Sequence, residues 1–249
     1  MTTPAKLSLG LFLLALPLLG LSCGSKSVRD GGVYKSTDGG ETWEQKVKID
    51  AKNSIASLSV SEIAIDSNDS NLVLLGTKEN GIYKSTDGGE TWKQTSLKGG
   101  TIYSLQFNPN DSSVVYAGGS NADTGKIYKS SDNGNNWEEV YSETHDDTVI
   151  NEIAVDWYDS RRVYAGTSFG VLLKSKDSGR SWVAVHWFEE GESVNHLAIS
   201  YKDSRQLFLA TNKSLYQSGD GGGTVNDLSQ GLANFGKATN ILDLVTHPQ

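Results

Sequence analysis

The ten residues Tyr-Lys-Ser-Thr-Asp-Gly-Gly-Glu-Thr-Trp occur twice without a change, at 34–43 and at 83–92. Related copies follow at 128–137, 173–182 and 216–225, and the last of them has Val225 in place of the closing tryptophan. The serines of successive copies are separated by 49, 45, 45 and 43 residues. A repeat of this length is typical of one four-stranded blade of a β-propeller.

Each period contains the parts of a blade in the same order. Alternating segments at 62–66, 104–108, 152–156 and 196–200 predict the inner strands, because side chains of a strand point to its two faces in turn. Polar turns then lead into apolar second strands at 72–77, 114–118, 163–167 and 207–211. The third strand runs into the repeated motif, and a fourth, outer strand begins at its tryptophan. The sequence therefore predicts an all-β propeller with about five visible blades.

The repeated motif has the chemistry of a structural turn. Its aspartate can accept backbone N–H groups across a tight turn, its glycine can adopt a positive φ, and its tryptophan can cover the hairpin. A catalytic group is needed at one point only, whereas these residues recur in every blade and would face five directions. The structural positions are Ser36, Asp38, Gly40 and Trp43; Ser85, Asp87, Gly89 and Trp92; Ser130, Asp132, Gly134 and Trp137; Ser175, Asp177, Gly179 and Trp182; and Ser218 and Asp220.

This pattern, Ser-x-Asp-x-Gly-x-x-Trp, resembles the Asp-box or BNR repeat of sialidases, the sortilin ectodomain, xyloglucan hydrolases and photosystem II stability and assembly factors. The wording Tyr-Lys-Ser-Thr-Asp-Gly-Gly with Val-Tyr-Ala-Gly in the second strand is most similar to the assembly factors. The resemblance implies that the box staples strands three and four, away from the binding surface. It also implies a non-catalytic module that binds a protein partner.

The enzyme members of this group set requirements that the sequence does not meet. A sialidase needs three converging arginines, and the arginines here are scattered: Arg161, Arg162 and Arg205 lie in predicted turns, Arg180 in a box and Arg29 before the first strand. The xyloglucan hydrolases use two facing propellers, and this chain has material for less than one. We therefore expect no catalytic residues, although an extracytoplasmic glycan-binding or glycan-hydrolysing propeller stays open as the alternative.

One set of residues could form a site. Aligning the inner strands brings one position of each blade to the central channel, which predicts a polar ring. The ring residues are Glu62, Ser104, Glu152, His196 and Asp243. Polar residues line the water-filled channel of any propeller, so the ring has a structural reading as well.

Other clusters are weaker as sites. Residues 132–136 resemble part of a calcium loop but coincide with a box. His186, Glu189, Glu190 and His196 are close in sequence, but the loop from Trp187 to Ser193 separates two strands, so we predict no metal and no cofactor. Trp157 and Tyr158, together with Trp187 and Phe188, are aromatic residues beyond the box pattern. They either cover the blade rim or contact a partner.

Residues 1–23 resemble the signal peptide of a bacterial lipoprotein. Lys6 precedes an apolar run from Leu7 to Leu21, and the run ends at Cys23, the single cysteine, which the resemblance makes the lipidated residue. Residues 24–31 then form a polar tether, and 32–249 form the propeller. We expect an exported, extracytoplasmic protein that is anchored to the membrane of the cell envelope.

The formal net charge of −8 gives no electrostatic reason to bind nucleic acid, whose phosphates attract clustered Lys and Arg.

The chain opens with strands three and four of one blade and closes with a segment, 241–246, that is predicted to be an inner strand. We expect either closure into five blades or a chain truncated after Gln249 from six to eight blades.

Overall fold

Nineteen β-strands form five antiparallel sheets in residues 12–14 and 31–229, the part of the chain that this computed structural model describes. The N-terminal sheet contains β1 (Phe12–Leu14), β2 (Tyr34–Ser36) and β3 (Glu44–Gln45). Blade 1 contains β4 (Val60–Ile65), β5 (Val73–Thr77), β6 (Ile82–Ser85) and β7 (Lys93–Gln94). Blade 2 contains β8 (Thr101–Asn108), β9 (Asp111–Asn121), β10 (Thr124–Ser130) and β11 (Glu138–Asp146). Blade 3 contains β12 (Ile150–Val155), β13 (Val163–Thr167), β14 (Val171–Ser175) and β15 (Val183–Trp187), and blade 4 contains β16 (Val194–Ile199), β17 (Leu207–Thr211), β18 (Leu215–Ser218) and β19 (Asn226–Asp227).

The four blades have the meander order expected of a propeller, in which each strand pairs with the next along the chain. The first strands β4, β8, β12 and β16 lie next to one another, so they are the inner strands and the sheets radiate from them. This confirms the predicted all-β propeller of four-stranded antiparallel blades. The N-terminal sheet has three strands, one of which, β1, pairs with β2. Strand β1 falls within the segment that we interpret as a signal peptide, an interpretation that stays a prediction.

The antiparallel meander gives the propeller two unlike ends. The turns between first and second strands and the Asp boxes lie at one, the box end. The turns between second and third strands and the connections between blades lie at the other, the loop end.

The hydrophobic core lies between blades rather than within them. Blades 1 and 2 share one cluster, blades 2 and 3 a second, and blades 3 and 4 a third, while the N-terminal sheet packs on blade 1 through Val33 and Ile55. Burial of apolar side chains between adjacent sheets is the main force that fixes their order.

Small residues of the second strands allow this close approach. A Cβ on Gly118 would lie 2.8 Å from a methyl group of Ile150, and one on Gly166 would lie 2.5 Å from Val194 Cγ1. Ile150 and Val194 each belong to the inner strand of the next blade. The glycines therefore serve packing between blades, and an added methyl group would push the sheets apart.

Candidate functional site

The Asp boxes repeat one hydrogen-bond pattern in all five copies. In the first copy, Ser36 Oγ donates to Asp38 Oδ1 at 2.7 Å and accepts the Gly40 N–H at 2.8 Å, while Asp38 Oδ1 accepts the Thr42 N–H at 2.9 Å. The same bonds recur from Ser85, Ser130, Ser175 and Ser218. Hydrogen bonds to the charged form stabilise the carboxylate. In the fourth copy such bonds, of which the one from the Ser181 side chain has the largest effect, lower the pKa of Asp177 to about 2. The serine and aspartate side chains of each box therefore stabilise their own turn.

In blades 1, 2 and 3, a lysine of the third strand ties its blade to the box that follows. Lys129 Nζ donates to the Ser178 carbonyl oxygen at 2.8 Å, and Lys174 Nζ to the Gly221 carbonyl oxygen at 2.6 Å. In blade 1, Lys84 Nζ donates to Asn135 Oδ1 at 3.2 Å. The motif therefore staples neighbouring blades as well as its own hairpin.

Four of the five predicted ring residues lie in the part of the chain that the structure describes, and Asp243 lies outside it. Each directly follows a bulge of an inner strand and pairs with a small residue of the second strand: Gly76, Gly118, Gly166 and Ala210 face Glu62, Ser104, Glu152 and His196 respectively. A bulge re-aims the residue beside it. The four positions are thus equivalent in geometry.

Glu152 joins three blades. Its Oε1 accepts Ser104 Oγ of blade 2 at 3.0 Å, and its Oε2 lies 2.9 Å from His196 Nδ1 of blade 4. Ser104 Oγ also accepts the Ile153 N–H at 3.0 Å. The serine hydroxyl donates to the carboxylate and not to the imidazole, so the trio lacks the serine–histidine contact of a Ser-His-Glu triad.

Glu62 is the ring member with the most altered acidity. Burial raises the pKa of Glu62 to about 8; the negative charge of Glu152 adds to the rise and His196 opposes it. At neutral pH Glu62 is therefore held mainly in its protonated form, while Glu152 contacts His196. Carboxyl groups in such unlike environments suit acid and base roles.

The loop after β15 uses its polar groups for folding. Glu192 is buried, and its Oε1 accepts hydrogen bonds from Thr211 Oγ1 at 2.8 Å and from the Tyr216 hydroxyl at 2.9 Å. Burial lowers the pKa of His186, whose ring contacts that of Phe188 with the centroids 4.6 Å apart. Within residues 31–229, no three His, Cys, Asp or Glu side chains are arranged to hold a metal ion.

The aromatic residues that the sequence singled out divide between the two ends. Trp157 is half-buried and its Nε1 donates to the Ser200 carbonyl oxygen at 3.0 Å, while its neighbour Tyr158 is 76% exposed; both lie at the box end. Trp187 is 64% exposed at the loop end, and Phe188 packs against Tyr216.

Sequence reasoning missed a second aromatic group at the loop end of blade 3, two residues before Val171, the partner of Trp187 in the sheet. Phe169 is 56% exposed in the turn between β13 and β14, and its ring stacks on that of His145, with the centroids 4.6 Å apart and the planes at 19°. The corresponding turns of blades 1, 2 and 4 carry Glu79, Asp123 and Lys213, so a phenylalanine at this position was the available signal. We call Phe169, His145 and Trp187 the aromatic platform.

The turn that carries Phe169 is fixed on both sides. Ser168 N–H donates to the Val149 carbonyl oxygen at 2.9 Å, and Ser168 Oγ accepts the Val149 N–H at 3.0 Å. On the other side, the Phe188 N–H donates to the Gly170 carbonyl oxygen at 2.8 Å. Glu143 lies 3.6 Å from His145 Nδ1 and holds the Tyr141 hydroxyl at 3.1 Å. The platform is therefore built on a rigid support.

Comparison with known proteins agrees with this architecture. The sequence profile of Sortilin-Vps10, described as "Sortilin, neurotensin receptor 3", matches residues 31–126 and 125–243. The chain belongs to the Sortilin-Vps10 family. Membership confirms the predicted relationship to Asp-box propellers of the sortilin type. No curated protein matches the chain.

Solved structures with a similar fold include both enzymes and a protein of another kind. An ancestral GH74 enzyme aligns over 82% of this Sortilin-Vps10 chain and 29% of its own, with 20% identity and a TM-score of 0.68. The GH74 xyloglucanase of Xanthomonas campestris aligns over 81% and 35%, with 19% identity and a TM-score of 0.62. YCF48 from Cyanidioschyzon merolae aligns over 78% and 65%, with 18% identity and a TM-score of 0.55.

These likenesses establish the fold and leave the activity open. The chain spans about a third of the length of the GH74 proteins and 65% of that of YCF48. A fold alone does not define a function, which depends on the site. In the described part of the chain, no helix is long and apolar enough to cross a membrane.

Proposed function

We propose that this protein is a non-catalytic, extracytoplasmic propeller that binds a protein partner through its loop end, in the manner of an assembly or scaffold factor. The observation that carries the proposal is the aromatic platform. Phe169 and Trp187 are more than half exposed, although each is held on a rigid element of blade 3. Exposed aromatic side chains contribute little to folding and are enriched where proteins bind one another.

The box end is a poorer candidate for the binding surface. Its carboxylates hold their own turns, and its lysines link neighbouring blades. A group that is already satisfied by the fold has little to offer a ligand, because breaking its bonds costs as much as a new contact contributes. This distribution supports binding at the loop end.

Export and anchoring belong to the same proposal. The support is the apolar segment that ends at Cys23, which would tether the propeller to the membrane through a lipid on that residue. Mass spectrometry of the mature N-terminus tests this point: a diacylglyceryl group on Cys23 that is lost in Cys23→Ser supports anchoring. An unmodified thiol at Cys23 overturns it.

Partner binding is tested by affinity capture from the membrane fraction of the source cells. We expect at least one protein to be enriched by the wild type and by Tyr158→Ala/Tyr201→Ala, a control at the box end, and to be lost with Phe169→Ala/Trp187→Ala. If the wild type and both variants capture the same proteins, the loop end is not the binding surface. The control residues are comparably exposed, at 76% and 53%, so their removal matches the change in apolar surface.

A glycoside hydrolase is the second candidate, and the ring favours it. Glu62, with its raised pKa, could donate a proton while Glu152 acts as the second carboxyl group. Release of reducing ends from xyloglucan by the wild type and by Glu62→Gln decides between the two functions. A binding module releases none with either protein, whereas a hydrolase loses activity about 100-fold or more when its acid is removed.

A further inference from the structure

The loop end of blades 2 and 3 is strongly anionic. The turns between the second and third strands of blades 2 and 3, and the connections that follow these blades, contain no Lys or Arg; they are residues 121–124, 146–149, 168–170 and 188–193. They carry five exposed carboxylates, at Asp123, Asp146, Asp147, Glu189 and Glu190. Lys98 lies in the connection that enters blade 2. Lys213 of blade 4 lies beside this region, where its Nζ donates to the Glu190 carbonyl oxygen at 2.8 Å.

The arginines of the described chain are all at the opposite end. Arg161, Arg162 and Arg205 lie in turns between first and second strands, and Arg180 lies in a box. Three of them are paired locally: Arg161 Nε lies 2.9 Å from Asp159, Arg162 Nε 2.8 Å from Asp156, and Arg205 Nη2 2.8 Å from Asp203. At the box end of blades 3 and 4, arginines thus offset neighbouring aspartates, whereas the loop-end segments named above have carboxylates and no basic residue.

The aromatic platform lies within this anionic region. Asp146 and Asp147 directly follow His145, and Glu189 and Glu190 come soon after Trp187. Aromatic faces attract cations and carboxylates bind them, so both kinds of group favour the same positively charged ligand. They disfavour an anionic membrane surface or a nucleic acid, which the carboxylates would repel.

We infer that the loop end of blades 2 and 3 is a docking surface for a cationic segment of a protein partner, in which Lys or Arg alternates with apolar side chains. This inference rests on the proposed function and names the chemistry of the partner. Phe169 and Trp187 contact the apolar side chains and the stems of the basic ones, and the five carboxylates pair with their charges. The rigid support of the Phe169 turn reduces the entropy lost on binding.

The probe is a fluorescein-labelled nonapeptide that alternates Lys and Leu, and its anisotropy is measured with the full chain. Its counterpart has Glu for every Lys, and unlabelled xyloglucan heptasaccharide serves as competitor. We expect the Lys peptide to bind, the Glu peptide not to bind, and the sugar not to compete. Raising NaCl from 50 to 500 mM should weaken binding about tenfold, because salt screens exposed charges.

Two sets of variants locate the binding. Phe169→Ala/Trp187→Ala should weaken binding about tenfold or more, as loss of an aromatic anchor does, while Tyr158→Ala/Tyr201→Ala should leave the affinity unchanged. Asp146→Asn/Asp147→Asn should weaken binding and reduce its dependence on salt. Asp147 has a φ of 58°, a conformation that asparagine tolerates as well as aspartate, so this change preserves the backbone. Glu41→Gln/Glu138→Gln, outside the loop end, is the control for net charge.

The inference is overturned if the Lys peptide does not bind, if the Glu peptide binds equally, or if the control variants weaken binding as much as the platform variants. Competition by the heptasaccharide would assign the platform to a glycan and overturn it as well. Capture of a cellular protein that depends on Phe169 and Trp187, without binding of the Lys peptide, would leave the proposed function standing and remove only the cationic partner.

Discussion

Replacing Gly166 by alanine tests the packing that holds blades 3 and 4 together. The added Cβ would lie 2.5 Å from Val194 Cγ1 and 2.9 Å from Val194 Cβ. Carbon atoms prefer about 3.5 to 4.0 Å, so one sheet must move by about 1 Å in a core whose side chains are fully buried. Overpacking of this kind costs about 1 to 3 kcal/mol, and we expect about 2 kcal/mol because the contact is so short.

The assay is urea and thermal unfolding, followed by tryptophan fluorescence. A loss of about 2 kcal/mol should lower the melting temperature by roughly 4 to 8 °C for a domain of this size. Gly99→Ala is the control, since no atom lies within 4 Å of the place where its new methyl group would stand and its φ is not positive. That variant should be neutral or slightly more stable, because alanine restricts the unfolded chain.

A double-mutant cycle identifies the contact. Val194→Ala removes Cγ1, the atom nearest to the new methyl group of Gly166→Ala, so the glycine substitution should cost at least about 1 kcal/mol less in that background. If the two effects are additive, or if Gly166→Ala changes stability by less than about 0.5 kcal/mol, the clash with Val194 does not limit the approach of these blades.

Three further changes test the boxes and the ring. Trp92→Ala should cost about 3 to 5 kcal/mol and Trp43→Ala far less, since the two are 2% and 36% exposed; equal losses in thermal melts would contradict this. Asp87→Ala should cost about 1 to 3 kcal/mol because it removes hydrogen bonds within the turn, and Thr86→Ala is the neutral control. Equal melting temperatures of the two variants would argue against the box as a staple. The raised pKa of Glu62 means that folding favours its protonated form, so the free energy of unfolding of the wild type should fall as pH rises from about 4.5 to 8. Glu62→Gln should reduce that loss by roughly 1 to 3 kcal/mol in urea titrations at pH 5 and 9. Parallel losses in the two proteins would show that Glu62 is not desolvated.

The blades were predictable because the box is a local structure. Its hydrogen bonds join residues two to four positions apart, such as Ser85 to Asp87 and Gly89, so the sequence of ten residues is enough to specify them. The inner strands were predictable for a similar reason, since alternation of side chains needs only a few neighbouring residues. The three-stranded N-terminal sheet, with β1 drawn from residues 12–14, was not expected, because strand pairing depends on distant segments.

The ring and the platform differ in how far sequence reasoning reached. Repeat alignment placed Glu62, Ser104, Glu152 and His196 at equivalent positions, but it could not tell that Glu152 would hold both Ser104 and His196 while Glu62 stayed protonated. Those properties depend on distances across blades and on burial. The stacking of Phe169 on His145 joins residues of different blades and was invisible for the same reason.

The two identical decapeptides separate what the sequence determined from what the tertiary structure decided. Both form the same turn, with the same serine and aspartate bonds, because each turn is stabilised within itself. Their tryptophans differ: Trp43 Nε1 donates to Gly40 of its own box, whereas Trp92 Nε1 donates to Lys46 of the preceding sheet and is buried. The sequence specifies the box, since its bonds are local, whereas the burial of Trp92 and the raised pKa of Glu62 arise only when neighbouring blades pack together and exclude water.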